Sequence, residues 1–281
     1  MARSDQGAPV SPATRPGIGP VLTPGRWALI TGASSGLGSE FATQLASRGL
    51  HVALVARRAG RLEELAARLR ADHKVDAHVV VEDLSRRDAA AAVHAAVKDA
   101  GIAVDVLINN AGLGTSGDVI DTDPARIDEL LQVNVTALTG LSRLFAADMV
   151  AAGAGAIVNI ASVAAAIPAP HMAVYSASKA FVASFSQALA VELEGTGVRV
   201  VTALPGATAT EFAEAGGRIP GPASMHARAE DVVASFLTAV DQLRTPLVAT
   251  HGRADAAMAA LLPKLPRRPA LRLIERAMRA R

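Results

Sequence analysis

The stretch 26–38, RWALITGASSGLG, joins a short apolar run to a loop of three glycines. The run has the length of a buried β-strand, and residues 39–48 then read as a helix. Between a strand and a helix, Gly32 permits a tight turn, Gly36 lets backbone amides approach a phosphate, and Gly38 lets the helix pack closely on the strand. The glycine spacing differs from the common dinucleotide fingerprint, so the loop alone is modest evidence for nucleotide binding.

Apolar runs and helical patterns alternate along the rest of the chain. The apolar runs are HVALVARR at 51–58, AHVVVEDL at 77–84, VDVLINNAG at 104–112, AIVNIAS at 156–162, VRVVTALPG at 198–206 and PLVAT at 246–250. Helical patterns separate them at 61–70, 89–100, 124–149, 175–194 and 230–243. Unbroken apolar strands between helices predict a parallel sheet covered on both faces. We therefore expect one α/β domain with a doubly wound, Rossmann-type parallel sheet over residues 26–250.

Composition excludes several classes of function. The 281 residues are 51% hydrophobic and contain no cysteine, which rules out disulfides, thiolate metal sites and cysteine nucleophiles. A cysteine-free chain fits a reducing compartment, and we expect a cytoplasmic location. The formal net charge of +2 is small, and basic residues are scattered until the C-terminus. We therefore predict neither a nucleic-acid partner nor a metal site.

Two segments raise the question of tails and membrane spans. Residues 1–25 are rich in Pro, Gly, Ala and Ser and have no continuous apolar core, so we expect a disordered N-terminal tail. Residues 149–170 carry no charge over 22 positions, which is long enough to cross a membrane. Glycines, prolines and Asn159 interrupt that stretch, so we read it as loop, strand and loop and predict no transmembrane segment.

Residues 251–281 form a basic C-terminal extension. In PALRLIERAMRAR at 269–281, Leu271, Ile274 and Met278 fall on one helical stripe among arginines. Such an amphipathic helix covers a pocket, packs on a second subunit or rests on an anionic membrane surface. Ordinary packing is the default expectation, because the stripe is short.

The only tyrosine of the chain occurs in YSASK at 175–179. On a helix, Tyr175 and Lys179 share a face about one turn apart. Taken alone, such a pair is more often coincidence than a catalytic unit, so its meaning depends on the other motifs.

Seven motifs follow one another along the chain: TGASSGLG at 31–38, Asp83, NNAG at 109–112, Asn134, Ser162, YSASK at 175–179 and PG at 205–206. In this order and spacing, over about residues 27–250, the sequence resembles the classical short-chain dehydrogenases/reductases. The resemblance implies hydride transfer between a nicotinamide cofactor and a carbonyl or alcohol. Its catalytic residues would be Ser162, which orients the substrate oxygen, Tyr175 as general acid/base, Lys179, and Asn134, which holds a water beside Lys179.

A phenol can donate and accept the proton in this reaction only if its pKa lies near the working pH. Lowering the pKa of Tyr175 from about 10 to neutrality requires about 4 kcal/mol of preference for the phenolate. We expect the ammonium of Lys179 and the positive charge of an oxidised nicotinamide to supply that preference together.

The resemblance also implies which residues hold the cofactor. Asp83 would contact the adenine, Asn110 would line the adenosine ribose and Lys179 would bind the nicotinamide ribose. The full set is Gly32, Ser34, Ser35, Gly36, Leu37, Gly38, Arg57, Asp83, Leu84, Asn110, Ala111, Gly112, Tyr175, Lys179, Pro205, Gly206, Thr208 and Thr210.

The end of the second apolar run favours NADP(H). A site for NAD places an acid about 20 residues past the glycine loop, whereas a site for NADP places an arginine there. No acid occurs between Phe41 and Leu62, and the run ends in Arg57 and Arg58. We predict that Arg57 binds the 2′-phosphate, that NADP(H) is the preferred cofactor and that NAD(H) is a possible one.

Three segments should border the substrate: 113–119, 163–174 and 206–224. They are mostly small or apolar, which predicts a hydrophobic ketone, aldehyde or secondary alcohol. The third matches a mobile substrate loop of the family, with Gly216 and Gly217 as its hinge. His171 either touches the substrate or is a buried histidine with a structural partner.

Three functions stay open at this level. The intact set of Ser162, Tyr175 and Lys179 favours an NADP-dependent oxidoreductase. The alternatives are a catalytically silent nucleotide-binding regulator of the same fold, and a methyltransferase, which would leave the Tyr–Lys spacing unexplained. By resemblance a homo-oligomer is expected, because the helix that carries Tyr175 is rich in Ala and Ser.

Overall fold

Seven parallel strands form one sheet in the order β3-β2-β1-β4-β5-β6-β7. The computed structural model describes residues 21–213, 226–242 and 244–279. The strands are β1 (Trp27–Thr31), β2 (His51–Ala56), β3 (Ala77–Val81), β4 (Val104–Asn109), β5 (Gly155–Ile160), β6 (Val198–Leu204) and β7 (Val248–Thr250). The strand order reverses between β1 and β4, so their carboxyl ends flank the crevice where such sheets bind ligands.

Helices cover both faces of the sheet. They are α1 (Gly36–Ser47), α2 (Ala59–His73), α3 (Ala89–Asp99), α4 (Pro124–Leu131), α5 (Leu138–Ala152), α6 (Ala173–Glu192), α7 (Ala229–Asp241), α8 (Gly252–Leu261) and α9 (Arg267–Arg279). Each predicted apolar run overlaps a strand and each predicted helical pattern overlaps a helix, which confirms the doubly wound α/β fold. The pattern at 124–149 is two helices joined by the π-helical segment Gln132–Ala137.

The core has two layers because the strands point alternate side chains to opposite faces. On one face Ile30 and Leu54 pack with Phe41 of α1 and Phe236 of α7. On the other face Leu29, Leu107 and Ile157 pack with Phe145 of α5 and with Tyr175 of α6. Tyr175 is therefore held by the same core layer that fixes the sheet.

The ordered core begins before residue 26. Val21 and Leu22 are buried and pack with the α1 face of the sheet. The predicted end of the tail at residue 25 is therefore too late, because Val21 and Leu22 already pack in the core. Residues 1–20 lie outside the described residues.

One helical segment in the described ranges, Pro124–Ala152, is long and apolar enough to cross a membrane by length and composition alone. Its inward side includes Leu141, Phe145 and Met149, which pack in the core of the sheet domain. The uncharged stretch at 149–170 contains the predicted strand, β5, followed by the 3₁₀ turn Val163–Ala165. The predicted loop before the strand is shorter than expected, because α5 continues to Ala152.

Candidate active site

A cavity of about 960 Å³ opens at the carboxyl ends of the central strands. Every site residue predicted from the sequence lines it, except Gly38 and Asn134. The glycine loop, the ends of β2 to β6 and the start of α6 meet here because parallel strands present their carboxyl ends at one edge. The sheet thus brings together residues that lie up to 178 positions apart, from Gly32 to Thr210.

The glycine loop has the backbone that its sequence predicts. Gly32 has φ +67°, a left-handed conformation that favours glycine. A methyl group on Gly38 would overlap the Gly32 carbonyl, so Gly38 is needed for the close approach of α1 to the loop. Gly38 therefore acts by packing and does not line the cavity. The loop leaves the N-terminus of α1 facing the cavity, where backbone amides and the helix dipole favour an anion.

Asn110 braces this loop. Its side-chain Nδ2 donates to the carbonyl of Thr31 over 3.0 Å, and its backbone amide donates to Thr31 Oγ1 over 3.0 Å. Asn110 lines the cavity, as predicted. Its amide nitrogen, however, is engaged in holding β1 and β4 together rather than turned to a ribose.

Ser162, Tyr175 and Lys179 are buried residues that line this cavity together. Ser162 follows β5, and its Oγ accepts from the amide of Ala164 over 3.1 Å, which fixes the hydroxyl at the strand end. Tyr175 and Lys179 lie on α6, with the Lys179 Nζ 5.9 Å from the centre of the tyrosine ring. Lys179 Nζ donates to the carbonyl of Ile160 over 2.8 Å. The predicted pairing of tyrosine and lysine on one helix face is therefore present.

Burial dominates the ionisation of this pair. Desolvation raises the pKa of Tyr175 to about 12, against a lowering influence of the hydrogen bond from Ser162. Desolvation also lowers the pKa of Lys179 to about 8. The structure therefore does not show the expected lowering of the Tyr175 pKa, because a buried site disfavours the charged forms of both residues.

Asn134 lies behind the catalytic pair on the π-helical segment. Its Nδ2 donates to the carbonyl of Leu113 over 2.9 Å and to Ser178 Oγ over 3.0 Å, and its Oδ1 accepts from the Leu113 amide over 2.8 Å. It is fully buried and makes no direct bond to Lys179. A π-bulge at this point turns the side chain toward the strand β4 loop, a local irregularity frequent at functional sites.

The two arginines at the end of β2 reach different partners. Arg57 Nη1 pairs with Glu129 over 3.2 Å. Arg58 donates from Nη2 to Ser34 Oγ over 2.9 Å and to Ser35 Oγ over 2.6 Å. Both arginines line the cavity. The sequence predicted Arg57 as the phosphate ligand, but Arg58 is the one that contacts the glycine loop.

A second missed residue is Glu211. Its carboxylate pairs with Arg58 Nη1 over 3.2 Å and with Arg61 Nη1 over 2.7 Å. Hydrogen bonds from Arg61 hold the pKa of Glu211 below its ordinary value, with Arg58 adding to the effect. The Glu211 carboxylate thus lies among the arginines beside the glycine loop. Sequence patterns do not predict this contact, because it depends on how the 206–213 segment approaches α2.

Asp83 lines the cavity just after β3. Burial favours its neutral form, but hydrogen bonds from Ser85 and the charges of Arg57 and Arg86 lower its pKa. Asp83 Oδ1 accepts from the amide and the hydroxyl of Ser85, over 3.0 Å and 2.9 Å. The carboxylate is therefore fixed and ionised at the mouth of the cavity.

The remaining walls are apolar. They are formed by Leu113, Val133, Ile167, Met172, Phe212, Met258, Leu262 and Ile274. The last three belong to the C-terminal extension, so the helices beyond β7 cover the cavity, one of the three alternatives that the sequence left open. The side chain of Met278 and the hinge predicted at Gly216 and Gly217 lie outside the described residues.

His171 has a structural partner. Its Nδ1 lies 2.6 Å from Asp118 Oδ1, and its backbone carbonyl accepts from the Gly117 amide over 2.8 Å. These contacts tie the loop after β5 to the loop after β4, and His171 does not line the cavity. Among the described residues, no group of three or more His, Asp and Glu side chains is arranged to hold a metal ion.

Comparison with known proteins extends the resemblance. A family model described as short chain dehydrogenase matches residues 26–218. The very-long-chain 3-oxoacyl-CoA reductase of Anas platyrhynchos is 35% identical over 208 residues, which cover 72% of this chain and 65% of the relative. The chain thus spans slightly less than two thirds of the length of that relative.

Solved structures agree in fold. A short-chain dehydrogenase from Sphingobium yanoikuyae in complex with NADPH is 36% identical with a TM-score of 0.76, covering 91% of this chain and 95% of the other. The bulky-bulky ketone specific alcohol dehydrogenase from Comamonas testosteroni is 34% identical with a TM-score of 0.72, covering 86% and 96%. With the glycine loop, Ser162, Tyr175 and Lys179 in one cavity, and with the family model matching most of the chain, this protein belongs to the short-chain dehydrogenase family.

Proposed function

We propose that the protein is an oxidoreductase that moves a hydride between NADP(H) and a carbonyl or secondary alcohol of a hydrophobic small molecule. The observation that carries the proposal is the convergence of Ser162, Tyr175 and Lys179 in the cavity that the glycine loop also lines. A regulator that had lost turnover would not need this buried trio. NAD(H) remains a second cofactor of the same site.

The proton chemistry falls to Tyr175. A pKa of about 12 keeps the phenol protonated at neutral pH, so it is ready to donate to the oxygen of a carbonyl substrate. The Ser162 hydroxyl donates a hydrogen bond to the same oxygen and stabilises the negative charge that develops there. The ammonium of Lys179, 5.9 Å from the tyrosine ring, stabilises the phenolate that forms. The bound nicotinamide supplies or accepts the hydride.

The residues present fit a dinucleotide with a 2′-phosphate. The turn at Gly32 and the N-terminus of α1 suit a pyrophosphate, and Asp83 suits an amino group of adenine. Arg57 and Arg58 offer two guanidinium groups where a cofactor without the phosphate would require a carboxylate. The Sphingobium yanoikuyae relative, whose structure was solved with NADPH, supports this preference.

The substrate class is inferred from the walls. Leu113, Ile167, Met172 and Phe212 line the cavity that Tyr175 also lines, and a large apolar substrate suits them. The relatives named for 3-oxoacyl-CoA and for bulky-bulky ketones point to ketones with extended substituents. We therefore propose a ketone that bears an apolar chain, in the direction of reduction.

Consumption of NADPH and NADH by the purified protein tests the proposal. The panel contains short and long 2-alkanones, aryl ketones and 3-oxoacyl thioesters, with Tyr175→Phe beside the wild type. We expect oxidation of NADPH by the wild type and a loss of about 10² to 10⁴-fold in kcat for Tyr175→Phe, with the Kd for NADPH within about threefold. Binding of NADPH without tyrosine-dependent oxidation of any panel member would overturn the proposal.

We also propose a cytoplasmic homo-oligomer. Phe181 and Val191 of α6 are exposed, and Phe181 stacks on Phe185 with ring centres 6.0 Å apart. An exposed apolar face on the helix that carries Tyr175 suits contact with a second copy. Light scattering of the wild type and of Phe181→Glu checks this, and a monomeric wild type would contradict it.

A further inference from the structure

The C-terminal helices pack onto the loops that carry the catalytic residues. Ala259 of α8 packs with Ala161 and Leu204, the residues that end or follow β5 and β6. Ile274 of α9 packs with the core layer that contains Tyr175 and Met172. The match to the family model ends at residue 218, so this packing involves residues outside the matched part of the chain.

A carboxylate joins α8 to the cofactor side of the cavity. Asp255, in the first turn of α8, accepts a hydrogen bond from the backbone amide of Gly206. The approach is so close that a methyl group on Gly206 would overlap both carboxylate oxygens. Burial raises the pKa of Asp255, while the Gly206 amide and the charge of His251 act to lower it. The hydrogen bond from the Gly206 amide thus partly offsets the loss of hydration of the partly buried Asp255 carboxylate.

The carboxylate that contacts Gly206 lies on the same helix face as the apolar residues of α8 and its C-cap that line the cavity. Asp255, Met258 and Leu262 follow the i, i+3, i+7 spacing of a single helix face. Met258 and Leu262 line the cavity, and so does Ile274 of α9. Their neighbours Leu261 and Leu273 do not line the cavity, and they are 58% and 70% exposed.

We propose that the C-terminal helices form the outer wall of the substrate site, that Leu262 and Ile274 select for an apolar chain on the substrate, and that Asp255 is the positioning residue that holds this wall against the Gly206 turn. The part that concerns substrates rests on the proposed function. The part that concerns Asp255 does not.

Hydrogen exchange tests the positioning role without substrate. Asp255→Ala should accelerate exchange in peptides that cover 205–208 and 252–262 by at least about tenfold, because the acceptor of the Gly206 amide is lost. Asp255→Asn keeps an acceptor oxygen and should restore most of the protection. If Asn behaves as Ala does, the charge at the helix N-terminus is what matters, and the positioning role is overturned.

Asp231→Ala serves as the matched control. Asp231 occupies the first turn of α7, so its loss also removes a carboxylate from a helix N-terminus. It should leave exchange at 205–208 unchanged. Unaltered exchange at 205–208 in Asp255→Ala would likewise overturn the role of Asp255.

Selectivity between 2-butanone and 2-decanone tests the wall. Leu262→Ala and Ile274→Ala should lower kcat/KM for 2-decanone by about tenfold through KM, with 2-butanone within about twofold, because only the long ketone reaches these side chains. Leu261→Ala and Leu273→Ala are the matched controls and should leave the ratio unchanged. Equal ratios in all four variants would overturn the wall.

The two proposals fail in different ways. If the wild type reduces neither ketone nor any other panel member, the proposed function fails, along with the selectivity it would explain. Exchange at 205–208 still decides whether Asp255 holds the C-terminal helices in place. If the enzyme turns over and the variants keep the wild-type ratio of kcat/KM for 2-decanone to that for 2-butanone, the role of Leu262 and Ile274 in selectivity is refuted. The proposed oxidoreductase function then still stands.

Discussion

The guanidinium of Arg58 is bound to the glycine loop, where its Nη2 donates to Ser35 Oγ over 2.6 Å. Arg57, one residue earlier, points instead to Glu129 at 3.2 Å. Adjacent residues at the end of a strand point in opposite directions, so only one of the two lies against the loop. In the cofactor-free protein, Arg58 is therefore the better placed of the two to meet a 2′-phosphate.

Removal of either arginine should separate the two cofactors. We expect Arg58→Ala to raise the Kd for NADPH by about 10 to 100-fold, the worth of a charge-assisted hydrogen bond, and to leave NADH within about threefold. Arg57→Ala should act in the same direction with a smaller effect. Fluorescence titration of both nucleotides measures this, and equal losses for NADPH and NADH would remove both arginines from the phosphate site.

Glu211 should oppose the binding of NADPH. Its carboxylate neutralises Arg58 and Arg61 in the absence of cofactor, so a 2′-phosphate must compete with it. Because both groups are exposed to solvent, the effect is modest, and we expect Glu211→Gln to tighten NADPH by about threefold at low salt and not to change NADH. Weaker NADPH binding in Glu211→Gln would show that the carboxylate organises the arginines rather than competing for them.

Lys179 should make the cofactor-free protein more stable as the pH rises from 8 to 10. Its pKa is about 8 in the folded protein and 10.5 ordinarily, so between these values the unfolded chain binds more protons. The free energy of unfolding should then rise by about 2 kcal/mol over this interval from this group. Urea unfolding of the wild type and of Lys179→Met at both pH values isolates the difference, because Tyr175 is common to both. An equal pH response in the two proteins would mean that Lys179 stays charged when buried.

Gly206 and Asp255 should be coupled in stability. A methyl group on Gly206 meets the Asp255 carboxylate, so Gly206→Ala should cost about 1 to 3 kcal/mol by overpacking. In an Asp255→Ala background the same change should cost about 1 kcal/mol less. Thermal unfolding of the four proteins without cofactor completes this cycle. Additive effects would show that the obstruction lies elsewhere.

The sheet and most of the cavity could be predicted from local patterns. Buried parallel strands are short apolar runs, and the residues that follow them are gathered at one edge whatever the exact packing. For this reason sequence patterns alone predict that the glycine loop, Asp83, Ser162 and Tyr175 meet at one edge of the sheet, and all of them line the cavity. Gly38 and Asn134 do not line the cavity. Gly38 packs against the backbone of Gly32, and Asn134 hydrogen-bonds buried groups of Leu113 and Ser178.

The sequence by itself determined the family, the fold and the meeting of Ser162, Tyr175 and Lys179 in one cavity, since these depend on spacing within strands and helices. The tertiary structure alone decided what the sequence left open: Arg58 rather than Arg57 on the loop, Glu211 among the arginines, and α8 and α9 over the cavity. It also decided that burial raises the pKa of Tyr175. Each of these depends on how segments far apart in the chain approach one another, and on how much water they exclude, which no local pattern encodes.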